Sequence, residues 1–123
     1  MANVLVVDDS NTMREIVATF LKQNGFEVAV ATDGRDGLDQ LRRDPCIRLV
    51  VSDINMPNMD GLTMAEKIRT ELGNKEVRIV MLTTEDNAVM RSRGREIGVT
   101  GWIVKPFNGN AVLGPFKKLC GMS

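Results

Sequence analysis

Short apolar runs recur along this chain, each closing on a polar residue, and between them lie longer segments with apolar residues at helical spacing. That alternation limits the fold more than any other feature. Residues 4–7, Val-Leu-Val-Val, form a run that stops at Asp8-Asp9-Ser10 and carries the pattern of a strand buried on both faces. Further strands are predicted over 26–31, 47–52, 77–82 and 102–104, closing at Asp33, Asp53, Thr83-Thr84 and Lys105-Pro106. Asp53 leads into Asn55, Pro57 and Gly61, turn-forming residues that leave its carboxylate half held by the fold and half open to solvent. Alone, such an acid would only end a strand or cap the next helix.

The intervening segments read as helices. Met13, Ile16, Val17, Phe20 and Leu21 repeat at i, i+3, i+4, i+7 and i+8, with Ser10 or Asn11 as N-cap and Asn24-Gly25 as the stop. Asp33 caps a second helix carrying Leu38 and Leu41 that Pro45 prevents from continuing. Leu62, Ala65, Ile68 and Leu72 mark a third, ended by Gly73-Asn74. A fourth over 87–97 places Met90, Gly94 and Ile97 on one face and is marginal, because a mid-helix glycine costs about 1 kcal/mol relative to alanine. The last carries Val112, Leu113, Phe116 and Leu119, and Gly114-Pro115 within it predicts a kink or a late start.

Five strands alternating with helices require an α/β fold: a single-domain, doubly wound, five-stranded parallel sheet with helices on both faces. In such a sheet function gathers at the carboxyl ends of the strands, beside the point where strand order reverses. In the order 2-1-3-4-5, Asp8 and Asp9 converge with Asp53, and Thr83 and Lys105 stand at the same edge. Two unit charges 4 Å apart interact by about 4 kcal/mol at an effective dielectric of 20, so three ionised carboxylates need a positive partner. Lys105 leaves about two negative charges, which one divalent cation neutralises; oxygen ligands without sulfur or imidazole select a hard ion, Mg²⁺ before Ca²⁺. A carboxylate beside Mg²⁺, a lysine and a hydroxyl is equipped for phosphoryl transfer with Asp53 as nucleophile. The competing reading is a structural Asp-Lys pair with helix caps.

Composition removes other functions. Sixteen basic residues balance sixteen acidic ones, so there is no global footprint for nucleic acid or anionic membrane. With no histidine, the commonest general base and most zinc sites are absent, and Cys46 and Cys120 match no metal-ligand spacing and read as reduced cytosolic thiols. The N-terminus lacks a signal-peptide pattern, and no apolar stretch approaches a membrane span. Arg91, Arg93 and Arg95 read as solvated surface, and Met56 and Met59 as loop methionines without assigned role.

Val4-Leu-Val-Val-Asp-Asp-Ser10, Asp53-Ile-Asn-Met-Pro-Asn-Met-Asp-Gly61, Thr83-Thr84 and Gly101-Trp-Ile-Val-Lys-Pro-Phe107 together resemble the receiver domain of bacterial two-component response regulators, in particular the stand-alone, chemotaxis-type, CheY-like kind. The resemblance covers nearly the whole chain and implies a flavodoxin-like fold, with residues 1–123 as one receiver domain and no output domain. It implies Asp53 as phosphoacceptor from a histidine kinase or small phosphodonor, and Mg²⁺ held by Asp9, Asp53 and the Asn55 backbone carbonyl, with Asp8 supporting through water. Lys105 would contact the phosphoryl group and Thr83 would swing in to hydrogen-bond it. Asn55 and Glu85 stand at positions governing phosphate lifetime, Trp102 at the switch aromatic, and the Lys105-Pro106 peptide is expected to be cis.

The same resemblance implies a cytoplasmic, monomeric signalling switch that catalyses only its own phosphorylation and dephosphorylation. Its partners would be a kinase and a downstream protein such as a flagellar motor component, bound through the face of helix four, strand five and helix five, without nucleic acid or membrane insertion. Two other functions compete: a small Mg²⁺-dependent phosphatase using an aspartyl-phosphate, and a phosphorylation-independent binding module. The phosphatase fits less well, since such enzymes resemble Asp-x-Asp after the first strand whereas Asp8 and Asp9 are adjacent.

Overall fold

A computed structural model describes residues 2–122. Ten elements alternate: β1 (Val4–Val7), α1 (Asn11–Gln23), β2 (Val28–Ala31), α2 (Gly34–Arg43), β3 (Leu49–Ser52), α3 (Gly61–Thr70), β4 (Arg78–Thr83), α4 (Ala88–Ile97), β5 (Gly101–Val104) and α5 (Gly109–Leu119). The strands form one parallel sheet in the order β2-β1-β3-β4-β5. Val7 of β1 lies level with Ala31 on one side and Ser52 on the other, so the residues that follow β1 and β3 emerge side by side.

The twofold period of the strands sorts their side chains into two cores. Leu5, Val7, Val50, Ile79 and Met81 face α2 and α3, meeting Leu38, Leu41, Ala65 and Ile68. Val4, Val6, Leu49, Val51, Val80 and Leu82 face α1 and α5, meeting Val17, Leu21, Val112 and Phe116. Burial on both faces is why these runs are continuously apolar.

The termini of the elements follow local chemistry. Ser10, Asp33, Asp60, Asn87 and Asn108 cap the five helices, each side chain accepting a backbone N–H from the first turn. Gly98, at φ 93°, closes α4 in the left-handed conformation. Strands β2 and β3 begin two residues later than the apolar pattern predicts. Phe26 instead donates its N–H to the Leu21 carbonyl at the end of α1, and the Ile47 N–H turns back to Asp44. Both side chains still enter the core.

Two expectations are corrected. Ile16 does not join the buried stripe of α1; it is 49% exposed, because Val17, Ala18 and Leu21 define the face that meets the sheet. Helix α5 does not start late, since it runs unbroken from Gly109 with Pro115 inside. Pro115 and Ala111, whose carbonyl loses its donor, both lie on the exposed side, where water can satisfy that oxygen. Val112 and Phe116 on the opposite side are buried and hold the helix.

Asp33 accepts the Asp36 N–H at 2.9 Å and the Asn58 side-chain amide at 2.7 Å. These bonds, in that order, hold its carboxyl below the usual aspartate value, against the opposing effect of burial. A lowered folded-state pKa gives stability that is fully present above the ordinary aspartate pKa of about 4 and is lost as the pH falls below it. Acid unfolding followed by circular dichroism should therefore be shallower in Asp33→Asn, which keeps the contacts without titrating. An acid limb identical to wild type would show that Asp33 does not carry this linkage.

Candidate functional site at the carboxyl ends of β1, β3 and β5

Asp8 directly follows β1, its N–H continuing the ladder to the Ala31 carbonyl, and Asp53 directly follows β3, its N–H donating to the Val7 carbonyl at 3.0 Å. The sheet thus fixes the backbone of both acids. Asp8 is 4% exposed, with Oδ1 accepting the Ser10 N–H at 2.9 Å. One Asp53 oxygen accepts the Ile54 N–H at 2.7 Å and the other faces Lys105. Lys105, one residue past β5, has its own N–H on the Thr83 carbonyl. Its Nζ reaches Asp53 Oδ2 at 3.0 Å and Asp8 Oδ2 at 3.4 Å. The Lys105-Pro106 peptide is cis, as the resemblance implies.

Charge and burial oppose one another here. Burial raises the pKa of Asp8, aided by the Asp53 charge and countered by the Ser10 N–H and Lys105. Burial disfavours the Lys105 ammonium, but its bond to Asp53 and the charges of Asp53 and Asp8 overcome this and raise its pKa. Asp8, Asp9 and Asp53 each offer a carboxylate oxygen, and these atoms lie within 4.8 Å of one another. Three carboxylates and one ammonium leave about two negative charges on an all-oxygen donor set, a composition compatible with Mg²⁺.

The other predicted residues form a second tier. Thr83 is fully buried and its hydroxyl accepts the Glu85 N–H at 3.2 Å, so in this structure it serves the β4–α4 turn. Asn55 Nδ2 donates to the Glu85 carboxylate at 2.7 Å, bridging the loops that follow β3 and β4. The indole N–H of Trp102 donates to the Glu85 carbonyl at 2.9 Å. Glu85 therefore touches Asn55, Thr83 and Trp102. The indole lies against Gly94, where an added Cβ would stand 3.3 Å from Cζ3, and the Arg91 guanidinium covers the ring at 5.6 Å from its centroid. Gly94, costly to α4 by propensity, makes room for Trp102. Arg91 also pairs with Asp86 and Arg93 with Glu66.

Some contributors escape sequence reasoning. Arg14 donates to the Asp8 carbonyl at 2.7 Å and also bonds the Asn11 side chain, bracing the turn after β1 from the first turns of α1. Its position six residues after Asp8, just inside a capped helix, is the signal that could have found it. Asp33 and Asn58, 25 residues apart, meet at the tip of the loop following Asp53, and no local pattern announces that pair.

Comparison with known proteins agrees with this geometry. The family model described as response regulator receiver domain matches residues 4–114. The chemotaxis protein CheY1 of Helicobacter pylori is 38% identical over 105 residues, covering 85% of each chain. The chemotaxis protein CheY homolog of Campylobacter jejuni is 37% identical over 105 residues, covering 85% of this chain and 81% of the relative. Among solved structures, the chemotaxis protein CheY4 of Vibrio cholerae superposes with a TM-score of 0.88 at 38% identity, covering 97% of this chain and 98% of the other. A CheX–CheY–BeF₃–Mg²⁺ complex from Borrelia burgdorferi gives 0.87 at 28% identity, covering 96% and 88%. No helix among the described residues is long and apolar enough to cross a membrane.

Proposed function

The chain belongs to the response regulator receiver domain family, and on that footing we propose that it is a phosphorylation-driven signalling switch with Asp53 as its phosphoacceptor. The observation that carries this reading is the set of three carboxylates with Lys105 3.0 Å from Asp53, at the sheet edge where β1 and β3 emerge together. Asp53 donates a carboxylate electron pair to phosphorus. The bond from phosphorus to the donor, a phosphohistidine or small phosphodonor, breaks with its electrons leaving on the donor. Lys105 neutralises charge on the incoming group; Asp9, Asp53 and the Asn55 carbonyl, with Asp8 supporting through water, would hold Mg²⁺, which would supply further neutralisation.

Thr83 changes partner in this scheme, leaving the Glu85 N–H for the phosphoryl group. Because Glu85 also carries Asn55 and Trp102, that change reaches the α4, β5 and α5 face, where we place partner binding. The Borrelia complex, in which CheY is joined with CheX, BeF₃ and Mg²⁺, supports a protein partner for the phosphorylated state, BeF₃ being a phosphoryl mimic. The chemotaxis relatives support a histidine kinase upstream and a downstream target such as a flagellar motor component, in the cytoplasm. Catalysis is confined to the chain's own phosphorylation and dephosphorylation. Neither a phosphatase acting on other substrates nor a phosphorylation-independent module is favoured.

Acetyl phosphate with Mg²⁺ should add one phosphoryl group by intact-mass spectrometry, removed by hydroxylamine as an acyl phosphate is and prevented by EDTA. No gain, or a hydroxylamine-stable one, would overturn the assignment.

A further inference from the structure

The segment from Asp53 to Gly61 carries the nucleophile and Asn55, yet it is a loop, and its tip is tied to a part of the chain outside the acidic site. The Gly34 N–H donates to the Met59 carbonyl at 3.1 Å. Asn58, in the left-handed conformation at φ 66°, donates its side-chain amide to Asp33 Oδ2 at 2.7 Å. The other oxygen of Asp33 caps α2 through the Asp36 N–H, and the Asp36 carboxylate returns a bond to the Thr32 N–H at 3.0 Å. Asp33 is 9% exposed. The approach is close enough that a Cβ at position 34 would stand 2.7 Å from the Met59 carbonyl oxygen. At its root the same loop is closed by the Gly61 N–H on the Ile54 carbonyl at 2.8 Å.

An acidic site that must hold a divalent cation against its own repulsion depends on how firmly its oxygen donors are held in place. The sheet holds Asp8 and the Asp53 backbone, but nothing regular holds residues 55–60. We propose that Asp33 and Asn58 are positioning residues for the acidic site, clamping the tip of this loop to the capped N-terminus of α2 so that Asp53 and Asn55 are preorganised for the cation and the phosphodonor. The proposal rests on the phosphoacceptor reading and adds to it a contact that none of the site residues makes. The clamp acts through the loop backbone and touches neither cation nor donor.

Two variants separate positioning from folding. Asn58→Gly keeps the left-handed backbone and removes the amide. Asp33→Ser keeps a helix cap but is too short to reach Asn58. Each should weaken Mg²⁺ binding, measured by calorimetry on the unphosphorylated protein, by about tenfold or more, the scale on which groups that orient metal ligands act. The initial rate of modification by acetyl phosphate should fall with it. Asp33→Asn should restore both, because the amide of Asn58 can turn over and accept the new donor. Mg²⁺ affinity equal to wild type in Asn58→Gly and Asp33→Ser would overturn the clamp, and a lowered melting temperature with unchanged affinity would do the same. If the wild-type protein is not phosphorylated at all, the phosphoacceptor reading fails while the Mg²⁺ isotherms still decide the clamp.

Discussion

Asp53→Asn should abolish the hydroxylamine-sensitive phosphoryl gain completely while leaving the protein folded. The amide oxygen can still accept the Ile54 N–H now made at 2.7 Å, so the turn after β3 keeps its hydrogen bond. What disappears is the anionic nucleophile and one of three clustered negative charges. Without metal, the cluster carries about two uncompensated charges, and like charges near 4 Å repel by about 4 kcal/mol at an effective dielectric of 20. Losing one charge offsets the loss of the ion pair with Lys105, which retains Asp8 at 3.4 Å. The metal-free melting temperature should therefore not fall, whereas the rise produced by Mg²⁺ should shrink, because a ligand stabilises only as far as it binds the folded state. Intact-mass spectrometry and thermal unfolding with and without Mg²⁺ measure both halves. A variant that still forms an acyl phosphate would move the nucleophile to Asp9, the exposed acid of the cluster.

Gly61→Ala should be among the most destabilising single substitutions in the molecule. A Cβ there would lie 2.1 Å from the Asp53 carbonyl oxygen, 3.0 Å from its carbon and 3.1 Å from Ile54 Cα. These are backbone atoms, so no side-chain rotation relieves the overlap. The Asp53 N–H is bonded to β1 and the Gly61 N–H to Ile54, so either the start of α3 or the end of β3 must move. Overpacking of this kind costs about 3 kcal/mol or more, roughly 10 °C in melting temperature for a chain of this length. The displaced residue is Asp53 itself, so phosphorylation should slow in whatever fraction remains folded. Gly114→Ala is the control, because it meets nothing within 4 Å and only gains helix propensity. If the two substitutions leave the melting temperature alike, close approach is not what requires glycine at position 61.

The contrast with Gly114 shows where sequence reasoning reaches and where it stops. Gly61 is legible as a turn residue, but its approach to Asp53 is not, because nothing in a glycine says which distant atom lies over it. Gly94 reads in isolation as a weakness of α4, and only its contact with the indole of Trp102 turns it into an accommodation. Pro115 predicts a kink in α5 or a late start by local rule, and the late start does not occur. Burial of Val112 and Phe116 overrides that rule, since a core contact outweighs one lost hydrogen bond on the wet side of a helix.

The sequence by itself determined the alternation of elements and both sheet faces, because side-chain periods of two and 3.6 are written in neighbouring residues. It also determined which strands lead into acids, Asp8-Asp9 and Asp53, and that Lys105 follows the last strand; charge balance then pointed to a cation. Tertiary structure alone decided what joins those ends. Thr83 on the Glu85 N–H, Asn55 on the Glu85 carboxylate, Trp102 on the Glu85 carbonyl and Asn58 on Asp33 are hydrogen bonds between side chains and loops. The last three link separate segments and form only once the strands stand in register, whereas the first is local to the β4–α4 turn. Such contacts depend on loop path and rotamer, neither of which leaves a periodic trace, so the charges of the site are readable from the chain and its mechanical coupling is not.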